Sequence, residues 1–87
     1  MILRHVFEPT DNTRLAHLSG AFDTHLRNIE AALAVRISRR ESAFRVEGGK
    51  AEAARALALL QALYERAARP IAPETLQLAL VEARSAL

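Results

Sequence analysis

The chain has 87 residues, 51% of them apolar and 25% charged, with no cysteine and a formal net charge of +2. That profile describes one folded domain with a modest core, and it excludes disulfides and thiolate metal centres. Every apolar run is broken by Arg, Glu or Gln short of the roughly 18 to 20 residues that span a bilayer, and the first residues lack a signal-type apolar region, so a cytoplasmic chain without a membrane partner is expected.

Ile2 to Phe7 is apolar and partly β-branched and ends at Glu8-Pro9, which reads as a strand closed by a turn. Asp11 or Thr10 then caps a short helix that turns Leu15 and Leu18 inward, with Gly20 just beyond its end. Asp23 or Thr24 is the next cap. The helix behind it places Leu26, Ile29 and Leu33 on one face and Arg27, Asn28 and Glu30 off it.

From Val35 the period changes to alternation, with Val35 and Ile37 on one side and Arg36 and Ser38 on the other. Phe44 and Val46 repeat it after Arg39-Arg40-Glu41-Ser42, so the segment reads as a hairpin with a charged connection of a few residues, ended by Gly48-Gly49. Lys50 to Ala68 reads as a long helix with Ala53, Leu57, Leu60 and Tyr64 on the face that packs across the sheet. Pro70 stops it. A last helix starts near Pro73-Glu74, where proline and a carboxylate both suit a first turn, and carries the stripe Leu76, Leu80, Ala83 and Leu87. The resulting order is β-α-α-β-β-α with one additional C-terminal helix, a two-layer α+β domain.

The stretch RVEGGKAEAA sets a glycine and a lysine between strand and helix, but Phe44 and Ala51 stand where a nucleotide-binding loop needs a glycine and a Ser or Thr. Gly48 and Gly49 therefore read as a turn. His5, His17 and His25 have no second ligand at useful spacing, and Ser19, Ser38, Ser42 and Ser85 have no nucleophile context. No catalytic motif and no cofactor or metal site is read in the chain.

Eleven of the twelve basic residues are arginine, a bias that suits phosphate and base contacts and that a GC-rich genome would equally produce. A helix, a glycine-bearing loop, a second helix and a strand of alternating polarity is also the arrangement of the KH module. That module grips about four single-stranded nucleotides with a Gly-x-x-Gly loop whose bare backbone admits phosphate oxygens. Here the loop is Gly20-Ala21-Phe22-Asp23, with a carboxylate in the second glycine's place. Asp23 is expected to cap the following helix, and Phe22 to stack on a base or to staple against Leu26 or Arg27. Arg36, Arg39 and Arg40 are expected on the facing wall, which makes Gly20, Ala21, Phe22 and these three arginines the candidate nucleic-acid-binding residues.

The chain resembles the N-terminal domain of PhoH-like bacterial ATPases, in which a KH-like domain precedes a P-loop ATPase domain. The matching residues are Glu8-Pro9 with Asn12, the Leu18-x-Gly20 break, Asp23 with Leu26, the Ile29-Glu30 pair and the strand ending at Gly48. The tail APETLQLAL resembles the segment leading into the ATPase core, with Ala72 in place of the usual threonine. The resemblance implies a KH-like domain over residues 1–70, a helix over 71–87 leading toward an ATPase domain absent from this chain, and weak binding of single-stranded RNA. It implies ATP and magnesium for the absent domain, and that domain and an rRNA-processing endoribonuclease as partners. The other reading is a protein-interaction module, a homo-oligomer among its forms, that has lost nucleic-acid binding.

Overall fold

Residues 1–8 and 11–85 are described by a computed structural model. Its elements are β1 (Ile2–Val6), α1 (Asn12–Ser19), a short turn of 3-10 helix (Ala21–Asp23), α2 (Thr24–Leu33), β2 (Arg36–Arg40), β3 (Ala43–Glu47), α3 (Lys50–Arg66) and α4 (Pro73–Ser85). The fold is α+β, with one antiparallel sheet of order β1-β3-β2 and the helices layered on one of its faces. The expected turn at Pro9, the alternative cap Thr10 and the stripe residue Leu87 lie outside the described residues.

The strands follow the period of two that the sequence sets up. Leu3 and His5 on β1, Phe44 and Val46 on β3, and Ile37 on β2 face the helices, while Ile2, Arg4, Val6, Ala43, Arg45 and Glu47 are exposed. Register is pinned through the central strand: Leu3 and Ile37 both pair with Val46, and Arg4 and Ser38 both pair with Arg45. The β2–β3 connection is tighter than expected. Arg40 pairs with Ala43, so only Glu41 and Ser42 turn the chain, with Glu41 at φ 56°. Two-residue hairpin turns need a positive φ, which glycine or asparagine normally supplies. Glu41 adopts it instead, and Arg39 and Arg40 therefore belong to the strand and not to a loop.

The core forms where the inner sheet face meets α3. Phe7, just past β1, stacks on Tyr64 with ring centroids 4.3 Å apart and meets Phe44 edge-on at 5.2 Å. Helix α3 buries Ala53, Ala56, Leu59, Leu60 and Leu63 and leaves the expected Leu57 and Tyr64 half-buried, a shifted face that reflects packing against α1, α2 and α4 as well as against the sheet. Of the α4 stripe, Leu76 and Leu80 are fully in this core.

Three basic side chains then tie the helical layer together. Arg14 donates from Nη1 to the Tyr64 and Glu65 carbonyls at 2.9 and 3.1 Å, at the end of α3 where carbonyls lack helical partners. His17 Nδ1 reaches the Ala67 carbonyl at 2.7 Å and His25 Nε2 the Ile71 carbonyl at 2.9 Å. A carbonyl only accepts, so these ring nitrogens are the protonated ones. The α3–α4 connection is thus held from α1 and α2. Truncating Phe7 to alanine removes the ring that joins strand to helix, and we expect a loss of about 3 to 5 kcal/mol. Thermal unfolding followed by circular dichroism should fall by more than about 10 °C; a change of a few degrees would contradict this role.

Candidate functional site

The junction between α1 and α2 is built around a bare Cα. Asp11 caps α1 by accepting from the Arg14 amide at 3.1 Å, and Gly20 closes the helix by donating its own amide to the Ala16 carbonyl at 2.9 Å. Gly20 has φ 76° and ψ 174°, a region open in practice only to glycine. A Cβ there would lie 2.8 Å from His25 Cδ2. The glycine is therefore required twice, by its backbone angles and by the imidazole seated on it. Its amide is engaged within the fold, which corrects the expectation that this amide faces a phosphate.

Beyond Gly20 the chain enters the left-handed region at two residues that carry side chains, Phe22 at φ 53° and Asp23 at φ 59°. Such residues are uncommon and cost of order 1 kcal/mol or more each. The consequence for Phe22 is full display: its side chain is 96% exposed, so neither Leu26 nor Arg27 is covered by a staple. The consequence for Asp23 is that the expected cap fails. It occupies the position before α2 but makes no side-chain capping bond, because capping needs an extended residue whose side chain folds back over the first helical amides. Thr24 Oγ1 instead donates to the Ala21 carbonyl.

Behind this loop, α2 and the edge strand β2 enclose a cleft of about 120 Å3 lined by Asp23, Leu26, Arg27, Glu30, Ile37, Ser38 and Arg39. Taking roughly 30 Å3 per water, that is room for about four. Glu30 Oε2 accepts from the Ile37 amide at 2.8 Å, so a carboxylate covers the edge of β2. Two carboxylates and two guanidiniums line the cleft, and its charge is balanced.

The three expected arginines do not share a wall. Residues two apart on a strand share a face, and neighbours do not. Arg39, in register with inward-facing Phe44, lies on the cleft side and donates from Nη1 to the Glu41 carbonyl at 2.9 Å. Arg36 and Arg40, in register with the outward Glu47 and Ala43, lie on the opposite face with Arg4 and Arg45. Arg27 joins the cleft from α2, a residue that the helical reading treated as a solvated position.

Among the described residues no group of three or more His, Asp or Glu side chains is placed to hold a metal ion. No described helix is long and apolar enough to cross a membrane. No family model matches the sequence, and no solved structure matches the chain.

The double requirement at Gly20 is testable. Gly20→Ala should cost about 1 to 3 kcal/mol through its backbone alone, lowering the melting temperature by at least about 4 °C. An unchanged melting temperature would show that His25 and the loop relax without cost.

Proposed function

We propose that the chain is a KH-like, single-stranded RNA-binding module in which Phe22 is a stacking platform and Arg27 and Arg39 meet the adjoining phosphates. The observation that carries this reading is the 96% exposed Phe22 ring, held at the tip of a helix junction by two consecutive left-handed residues. Exposed strain of this kind gathers at ligand sites, and an aromatic ring accepts any base on its face. Contact through Phe22 replaces the amide grip that a Gly-x-x-Gly loop would provide, since the Gly20 amide bonds Ala16.

The resemblance to PhoH-like proteins extends the proposal. The module would present RNA to an ATPase unit that uses ATP and magnesium, with an rRNA-processing endoribonuclease as a partner, in the cytoplasm. With only two arginines at the cleft, log affinity should fall with log salt at a slope of about 1.4, from roughly 0.7 per phosphate.

A second reading, an interaction or oligomerisation module, draws on Leu78 and Val81, which are 62% and 57% exposed on the outer side of α4. A mass that rises with concentration, lost in Leu78→Glu, together with no RNA binding, would favour it.

For the RNA reading, Phe22→Ala should weaken binding of a labelled oligouridine by about 1 to 3 kcal/mol, or roughly 5- to 150-fold, without lowering the melting temperature. Asp23→Gly should tighten binding, because it removes a carboxylate from the end of the cleft and glycine accepts φ 59° freely. Fluorescence anisotropy measures both, and an unchanged affinity in Phe22→Ala would remove the platform from consideration.

A further inference from the structure

The sheet face turned away from the helices shows a second arrangement that the fold itself does not use. Arg4 on β1 and Arg45 on β3 are directly opposed in register, and Arg40 lies two residues further along β2 from Ser38, the residue that completes their row. Like charges directly opposed across strands destabilise a sheet. The only ion pair that any of the three makes among the described residues is a loose one, Arg45 to Glu47 at 4.0 Å, with both side chains 48% exposed. Between the arginines, Ala43 and Ser38 are too short to fill the face. They leave a shallow depression of about 370 Å3, edged by Val6.

Strands spaced about 4.8 Å apart, with same-face residues about 6.6 Å apart along each, set these guanidiniums as a two-dimensional array of donor forks. Planar forks match phosphate oxygens in bidentate fashion. No carboxylate lies among the residues that line the depression, so its field favours an anionic backbone.

We propose that this face is a second nucleic-acid contact, in which Arg4, Arg40 and Arg45 bind the phosphodiester backbone without reading its sequence. It shares its ligand class with the loop site, and Ser38 and Arg39 line both, but Arg4, Arg40 and Arg45 do not line the loop cleft. The test is the salt dependence of binding to a labelled uridine oligonucleotide long enough to reach both faces, measured by anisotropy on the full chain. Arg4→Gln with Arg45→Gln should lower the slope of log affinity against log salt by about 1.4, and should leave the melting temperature unchanged or raise it. The same loss should appear in a Phe22→Ala background.

Ala43→Glu removes no arginine but sets a carboxylate in the depression and not in the loop cleft, and it should weaken binding on the order of tenfold at low salt. Wild-type slopes in the double variant would overturn the proposal. So would arginine-dependent binding of a polyglutamate peptide as tight as that of the oligonucleotide, which would make the face a protein site. A neutral Phe22→Ala with the slope loss intact would sink the loop reading alone.

Discussion

Helix α3 packs on β1 and β3 of the sheet and against each of the other three helices, and every functional surface of the domain takes its position from that shared burial. Phe7, Phe44 and Tyr64 form the contact with the sheet. Leu59 and Leu63 extend the core toward the helices that precede and follow. Because α3 covers β1 and β3 while α2 covers β2, the inner sheet face is sealed and the outer one is left to solvent. The sheet's pleat then sorts each side chain to one environment or the other.

The helix junction depends on a smaller contact of the same kind. The imidazole of His25 rests on Gly20 and its Nε2 holds the Ile71 carbonyl, so the loop, the start of α2 and the approach to α4 are fixed by one side chain. A chain so constrained has few ways to enter α2. The left-handed angles of Phe22 and Asp23 are the way it takes, and they expose a ring and uncouple a carboxylate from its helix. The stability given up there has no return inside the fold, since Phe22 touches little of it.

Much of this is legible in the sequence, and the differences have definite causes. The inward faces of α1 and α2, the break at Gly20, the strand at β1 and the alternation of β3 all follow from period and propensity, which are local. The hairpin is shorter than its composition suggests because Glu41 adopts a backbone region that glutamate seldom visits. The cap expected at Asp23 is lost for a related reason: capping depends on the φ of the capping residue, and here that angle is left-handed. For His17 and His25 the sequence shows only that no second ligand is near, because their carbonyl partners lie 50 and 46 residues away.

Of the six residues singled out for nucleic acid, Gly20 turned out to be held for internal reasons, while Phe22 and Arg39 stand at the loop and cleft. Arg36 and Arg40 lie on the other face by parity, Arg40 because the two-residue turn leaves it in the strand. The sequence alone determined the order of elements, the α+β class and the places where the chain must turn, because these rest on neighbours within a few positions. Only the tertiary structure decided what each arginine faces and how far Phe22 projects. Those outcomes depend on strand register and on the seat His25 finds at Gly20, and both are contacts made across the fold.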